Sequence, residues 1–520
     1  MKHWYPALIV LILLNACARM GRPQGGDKDT TPPKLLKAIP PANSTAFNGR
    51  KITLYFDEYV QLDNPFTQIV ISPPLKIKPA IKPIGYPSKK IEIIFKNNLR
   101  PNTTYTIYFG NAIKDYREGN VLKDFVFVFS TGKFLDSLKL KGRILTGKDF
   151  EIPENVTVGL YQAENFKDSI VLNGTPFYLT KAGENGHFRF QHLSPGKYRI
   201  VAFSDNNHDY RYQPGEEQVA FLNETVRIPG TDSLSLRLFS EPLAPVIYQP
   251  EQKTMHLWVA RAEGDLSEIK PQAPGKEIFF YTAGNPKKKT LNIWIKPVRE
   301  NESFHLTFLR RDDSVKTFKI TIGKAPSDTL LLKINQNTRY PSDTIFITST
   351  QPILTWDSTR MDIRPAKVKC TRTRQGMLAM TAPGFAGDTL NIKFYPNSVT
   401  GFTGQQNKDT LFWKIPYVSV NKTGSWKGIW THAPEHAYLI GELTDQKGRK
   451  VLRRIFLTQG NTFEFQYLKP GKYRFRILVD QNRNGRWDTG NFLQKQQPEP
   501  VYHYPRLIEI RANWHSEEKF

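Results

Sequence analysis

Nine residues near the end of the chain, Asp480-Gln481-Asn482-Arg483-Asn484-Gly485-Arg486-Trp487-Asp488, carry the oxygen atoms best spaced to grip an ion. Oxygen side chains at positions 1, 3, 5 and 9 with glycine at position 6 match the start of an EF-hand type loop. There, alternate side chains converge on one calcium ion and glycine allows the tight turn. The ligand set expected from this spacing is Asp480, Asn482, Asn484 and Asp488, with Arg486 contributing through its backbone carbonyl only. Position 12, a bidentate glutamate in a complete loop, is Asn491, so the ion would be held weakly or completed from elsewhere. The alternative is a set of Asx turns, in which the same side chains bond the backbone and no ion is needed. An earlier segment places Asp205, Asn207, Asp209 and Glu216 at positions 1, 3, 5 and 12, but Tyr210 takes the glycine position and Gln213 stands at position 9.

Other chemical arrangements are weaker. His432-Ala433-Pro434-Glu435-His436 has the letters of a zinc-peptidase motif, yet that chemistry needs both histidines one turn apart on a helix, and Pro434 removes a helical hydrogen bond between them. The match is read as accidental. No G-x-S-x-G, phosphate-loop or dinucleotide-binding pattern occurs. Asp57 and Glu58, adjacent on a strand, point to opposite faces and cannot share one substrate bond. Asp312-Asp313 reads as a turn, and His187, His192 and His208 fall on hairpins where a structural role is the default. No catalytic residue is assigned and the chain is read as not an enzyme, although carboxylates distant in sequence could assemble a glycosidase pair. Trp258, Trp294 and Trp487 are candidate stacking platforms for sugar rings, with core packing the favoured alternative.

The remaining reactive group is Cys17. Leu14-Asn15-Ala16-Cys17 closes the eight-residue apolar run Ala7 to Leu14, which follows the basic Lys2. That run is too short to cross a bilayer, which needs about 20 apolar residues. A basic start, a short apolar stretch and a small residue before cysteine look like a bacterial lipoprotein signal, implying lipid on the Cys17 thiol and amino group. Each buried methylene of the acyl chains adds about 0.8 kcal/mol, so several chains anchor stably. Residues 18–33 hold Gly, Pro and charge with almost nothing to bury and read as an extended tether. Cys370 is left without a partner, which excludes an intramolecular disulfide or a thiolate metal cluster.

Strands must position these groups. Aromatic residues make up 12% of the 520-residue chain, punctuated by 37 Pro and 34 Gly, a mixture of strand and turn formers. No run of ten residues shows helical apolar spacing with caps. The length exceeds one core and predicts several domains of about 100 residues. A net charge of +25 fits anionic membrane surfaces or acidic polysaccharides. It also fits solvated strand faces, as in Asn391-Ile392-Lys393-Phe394, and a hairpin tip at Lys287-Lys288-Lys289 after Gly284-Asn285-Pro286. An exported chain seldom meets nucleic acid, and none is expected as a partner.

From Lys51 onward, strands are expected at Ile52 to Phe56, Ile69 to Ser72, Ile91 to Phe95, Tyr105 to Phe109 and Phe125 to Phe129, with the period of two of half-buried strands. Pro41-Ala42-Asn43-Ser44, Ile52-Thr53-Leu54-Tyr55-Phe56-Asp57-Glu58, Leu99-Arg100-Pro101-Asn102-Thr103-Thr104-Tyr105 and the closing Phe127-Val128-Phe129-Ser130-Thr131 resemble a bacterial Ig-like domain of the surface-layer type. The resemblance implies a sandwich and carries no chemistry. Further on, Phe188-Arg189-Phe190-Gln191-His192-Leu193-Ser194-Pro195-Gly196-Lys197-Tyr198-Arg199 reads as a hairpin joined by a type II turn, with Pro195-Gly196 at its centre and Phe188, Phe190 and Tyr198 packed together. This pattern is similar to transthyretin-like, or carboxypeptidase-regulatory-like, modules. It returns at an offset of 275, where 13 of the 28 residues from Phe188 to Gly215 are identical without a gap, the mark of a duplicated domain. A fainter echo at offset 285 matches Ile107, Phe109, Lys123, Asp124 and Phe127 with Ile392, Phe394, Lys408, Asp409 and Phe412.

The expected fold is all-β: tandem Ig-like and transthyretin-like β-sandwiches after a signal peptide and tether. The divisions are 1–16 signal, 17–31 lipidated tether, 32–132 Ig-like, 133–232 transthyretin-like, 233–326 a β-rich spacer, 327–417 a degenerate Ig-like copy and 418–520 a second transthyretin-like copy. The expected function is that of a lipid-anchored protein of the outer membrane, a rod of sandwiches with a non-enzymatic structural, adhesive or binding role. Its partners are the membrane, through the lipid, and a polysaccharide or another envelope protein. The alternative is a glycan-binding accessory lipoprotein. The tether and Ig-like opening resemble those of Bacteroidota lipoproteins. Ala18 gives no inner-membrane retention signal, while Arg19 and Arg22 ahead of Asp27 depart from an acidic surface-export signal, which leaves the periplasmic and surface faces both open.

Overall fold

The computed structural model describes residues 29–520 except 184, 286–287, 311–312, 342, 383–384 and 435–436. Cys17 and the signal lie outside the described residues. Within them the chain is nearly all strand, and the longest helix, Asp168–Asn173, has six residues. No described helix is long and apolar enough to cross a membrane.

The sheets mark out five units. In unit 1 (35–130), one sheet runs in the order Leu35–Ile39, Lys51–Leu62, Ser88–Ile94, Ala80–Lys82, and the other Val70–Ser72, Thr104–Tyr108, Val126–Ser130. Ile52, Leu54 and Phe56 turn inward from the long strand while Tyr55 and Asp57 face water. The inward side meets Ile91, Ile93, Tyr105, Phe127 and Phe129. Burying such side chains contributes about 1.5–3 kcal/mol each. Unit 4 (332–416) repeats the two strand orders, with Leu332–Ile334, Ile345–Ser349, Leu378–Thr381, Lys369–Arg372 and then Met361–Arg364, Thr389–Phe394, Leu411–Pro416. Unit 3 (246–321) is built around the hairpin Glu277–Asn285 with Lys288–Lys296.

Units 2 (138–240) and 5 (424–519) share a different plan. In each, the first and last strands pair in parallel: Leu138–Thr146 with Ser233–Ser240, and Gly424–Ile429 with His515–Lys519. The strands His187–Leu193 and Gly196–Ser204 return at the 275 offset as Thr462–Leu468 and Gly471–Val479. These strand pairs are not hairpins, which corrects the sequence reading. His187–Leu193 pairs with Leu138–Thr146, and Gly196–Ser204 pairs with Val156–Gln162 on the other layer of one eight-stranded sheet that continues through Gln218–Phe221 and Ser233–Ser240. Phe188 and Phe190 on one strand and Tyr198 and Ile200 on the next are all buried in one core. A link that arches across the sandwich lets both apolar faces meet, whereas hairpin partners would lie side by side. The type II turn fails with the hairpin. Positive φ falls on His192 (57°) and Tyr467 (54°), not on Gly196. A Cβ at Gly196 would stand 3.2 Å from the Tyr198 hydroxyl and 3.3 Å from its ring, whereas at Gly471 the nearest Tyr473 atom would be 3.9 Å away.

The units do not form a rod of independent sandwiches. Phe402 of unit 4 lies 6.4 Å from the rings of Phe279 and Trp294 in unit 3. Arg453 of unit 5 pairs with Asp343 of unit 4 at 2.6 Å. Unit 5 then returns to unit 2. Phe492, 1% exposed, enters a core made of Tyr161, Phe203, Tyr212, Phe221 and Phe239, and Arg237 donates to the Val501 carbonyl at 2.9 Å. Leu243, in the link from unit 2 to unit 3, lies against Gly215 and accepts the Asp265 N–H at 2.9 Å, so units 2, 3, 4 and 5 close into a circuit of contacts.

Candidate functional site

The strand Gly471–Val479 delivers Asp480, almost fully buried, to the start of the loop proposed for calcium. Both carboxylate oxygens are taken. Oδ1 accepts the Asn484 N–H at 3.0 Å and Oδ2 the Gly485 N–H at 2.8 Å. Asn482 accepts from the Asn484 N–H and Asn484 from the Arg486 N–H, each an Asx turn. The side-chain amides of Asn482 and Asn484 both donate to Asp488 Oδ2. Arg486 places its guanidinium 3.2 Å from the same carboxylate. Asn491 turns away to accept the Gln494 N–H. The loop thus closes on its own donors, and an ion would have to displace two amides and a guanidinium. Millimolar calcium is accordingly expected to raise the melting temperature by no more than about 2–3 °C, the scale of a millimolar site. Calorimetry with and without chelator checks this, and a shift above about 10 °C would show a true calcium loop.

A residue missed in the sequence completes the loop. Glu499, buried, accepts the Gln481 N–H at 2.8 Å and the Asp488 N–H at 2.9 Å. Burial and the nearby Asp488 and Asp480 push its carboxyl up, against the two N–H bonds. Unit 2 repeats the device with Glu217, which accepts from the Asn206 and Gln213 N–H groups. Glu216, which the calcium spacing places at position 12, is its neighbour. Tyr210 adopts φ 63°, close to the 75° of Gly485, so the two loops share a backbone despite the loss of glycine. Only the paired carboxylates, twelve or more residues apart in each copy, could have signalled this lock.

The most heavily charged site lies between units 2 and 5. Glu442, fully buried, receives Arg476 at 2.7 Å and Arg454 at 2.6 Å. Burial raises its carboxyl, and Lys148, Arg476 and Arg454 overcome that to hold it below the ordinary value. Arg476 also donates to the Lys148 carbonyl of unit 2. Phe150 of unit 2 lies under the Arg474 and Arg476 guanidiniums and beside His503. Burial pushes His503 down to about 4, with Arg476 and Arg237 adding to the fall while the Lys148 backbone and Asp149 oppose it. The cluster is a clamp across two units.

The remaining candidates have structural partners. Trp258 and Trp294 are buried in or beside the unit 3 core, and Trp487 packs on Ile440, Leu478 and Val501 while its Nε1 donates to the Glu499 carbonyl. None of the three offers a free platform for sugars. His432 bonds Thr431, and the described part of its motif is a turn, with Glu435 and His436 outside the described residues. His256 Nδ1 meets Asp328 Oδ2 at 2.7 Å, a contact between unit 3 and the segment that leads into unit 4, which the sequence could not show. The Thr254 hydroxyl donates to the same carboxylate and accepts the Leu257 N–H, so the trio fastens a turn. Glu58, Asp115 and Glu118 bring carboxylate oxygens within 4.8 Å of one another. Asp115 there accepts the N–H groups of Glu118, Gly119 and Asn120.

Comparison with known proteins bears on unit 1. Residues 29–131 match the bacterial Ig-like domain family. No curated protein matches the chain. Among solved structures, the major pilin subunit BcpA of Bacillus cereus is similar at 10% identity and TM-score 0.16, over 74% of this chain and 99% of that one. The SGBP-B protein of a Bacteroides ovatus mixed-linkage glucan utilization locus, solved with a heptasaccharide, is similar at 8% identity and TM-score 0.18, over 84% and 99%. Human desmocollin-1 is similar at 9% identity and TM-score 0.14, over 91% and 98%.

Proposed function

We propose that the chain is a non-catalytic, lipid-anchored protein of the bacterial outer membrane, of the Bacteroidota type, which presents its β-sandwich units to a polysaccharide or another envelope protein. The observation that carries this reading is the closed circuit of units 2 to 5. The charged and aromatic groups best suited to chemistry are spent inside it, Glu442 and Arg476 in the clamp and Trp258 and Trp294 in packing. Cys17, behind its short apolar run, supplies the anchor, and the chain after it leads to unit 1, where Asn120 donates to the Asp29 and Thr31 carbonyls. Mass spectrometry of the protein from its native membrane should find the mature chain starting at an acylated Cys17 and co-sedimenting with outer-membrane markers. An unmodified thiol there, or a soluble chain cleaved elsewhere, would contradict the reading.

A further inference from the structure

Units 1 and 2 enclose a cleft of about 810 Å³, within the ~300–1,000 Å³ range of small-molecule sites. One wall comes from unit 1, with Gln68, Tyr108, Asn111 and Phe125; the other comes from unit 2, with Asn155, Arg189 and Gln191. The unit 2 wall follows from strand geometry. In His187–Leu193, Phe188 and Phe190 point into the core, so His187, Arg189 and Gln191 project together into the cleft. Two bonds fix the walls relative to each other: the Leu179 N–H donates to Ser72 Oγ at 3.1 Å, and Lys181 Nζ to the Thr67 carbonyl at 2.6 Å. A cleft held open in this way needs little ordering when a ligand enters.

A second cleft lies between units 4 and 5; its unit 5 wall uses the equivalent strand, with Glu464 and Gln466, but its unit 4 wall comes from the other sheet, with Thr381. Gln191 and Gln466 correspond at offset 275, but Arg189 becomes Glu464. The Arg453–Asp343 pair joins the two walls there, and the volume falls to about 470 Å³. The first cleft is the roomier of the two.

We propose that the unit 1–unit 2 cleft binds a short oligosaccharide, its ring hydroxyls held by Asn111, Arg189 and Gln191 and its apolar faces by Tyr108 and Phe125. The chemistry favours sugar over peptide. A peptide that adds a strand needs an unpaired sheet edge, and here the edge strands Val70–Ser72 and Tyr178–Lys181 close on one another through Ser72, while the Thr180 hydroxyl donates to the Arg189 carbonyl of a third edge strand, His187–Leu193. The cleft is faced by amides, the Arg189 guanidinium, Lys181 and the carboxylates of Asp124 and Glu154, donors and acceptors that match hydroxyls, with half-buried aromatic rings beside them. This inference rests on the binding role proposed above and names its site.

The test is calorimetric titration of the full chain in detergent with cellohexaose, a neutral probe, with hexagalacturonate, an acidic one, and with a Thr-Val alternating octapeptide. Saturable binding of at least one saccharide is expected, weakened tenfold or more by Arg189→Ala with Gln191→Ala, and separately weakened by Asn111→Ala on the opposite wall. Gln466→Ala should leave binding unchanged, and all variants should melt as the parent does. Binding of neither saccharide, binding indifferent to both walls, or peptide binding that these substitutions abolish would overturn the proposal. The state of Cys17 is measured separately, so failure here is distinguishable from failure of the anchoring reading.

Discussion

Replacing Phe492 with alanine is expected to weaken the seal between units 2 and 5 by about 3–5 kcal/mol, the usual cost of truncating a fully buried phenylalanine. Phe492 comes from a polar loop of unit 5, yet its ring stands 6.0 Å from Tyr212 and 5.4 Å from Phe221, both in unit 2. Truncation would leave a cavity lined by the rings of the other unit, which cannot collapse without moving both units. The surrounding bonds depend on the same docking: Phe492 N–H to Glu241 at 2.5 Å, Gln497 to the Phe221 carbonyl at 3.0 Å and Asn223 to the Lys495 carbonyl at 3.1 Å. Urea unfolding followed by limited proteolysis should show a lower midpoint and earlier cutting within residues 488–500. Trp514→Ala is the control. Trp514 is 59% exposed on unit 5 and its loss should stay within about 0.5 kcal/mol. A Phe492 variant as stable as the parent would mean that the contact contributes nothing.

The second large effect is expected at Glu442. Glu442→Gln leaves Arg476, itself 4% exposed, without its buried counter-charge, which costs about 3–5 kcal/mol. Replacing both partners with apolar residues of similar volume, Glu442→Leu with Arg476→Met, should recover most of the loss, because the penalty comes from the orphaned ion and not from the missing attraction. Acid should act on the same clamp in two stages. The folded His503 titrates near 4, below its ordinary 6.5, so its contribution is complete above pH 6.5 and fades as pH falls towards 4, by up to about 3 kcal/mol. Glu442, also held below its ordinary value, contributes above that value and is lost as pH falls through its lower folded one. Stability measured from pH 7.5 to 3.5 should therefore decline first in the histidine window, and His503→Gln should flatten that first decline. A parent curve that is flat between pH 6.5 and 4 would remove His503 from the clamp.

Much of the fold could be read along the chain because its causes are local. Alternation in Lys51–Leu62 reports which side is buried, and the 275-residue offset reports the duplication whatever the strands pair with. The arch at Pro195-Gly196 could not be read, because a strand's hydrogen-bonding partner is a distant segment and a short link fits either an arch or a hairpin. The candidate site shows the same limit. Asp480, Asn482 and Asn484 announced a turn-rich loop, but its lock is Glu499, and the choice of Glu217 over Glu216 in the other copy depends on which one the fold turns inward. Glu442 sits in Leu439–Asp445, an ordinary strand sequence, and its partner Arg476 lies 34 residues on. Phe492 and Leu493 are an apolar pair in a polar loop, and nothing beside them says that the first is buried and the second exposed, or which unit receives the ring.

Solution scattering from residues 29–520 tests the closed circuit most directly. A compact chain of that length has a radius of gyration of about 23 Å, and five sandwiches in a line about 50 Å. Closure through Phe492 predicts a parent value nearer the compact limit than the linear one, rising clearly in Phe492→Asp. A parent value near 50 Å, unchanged by Phe492→Asp, would show that units 2 and 5 stand apart and that the chain is a rod after all.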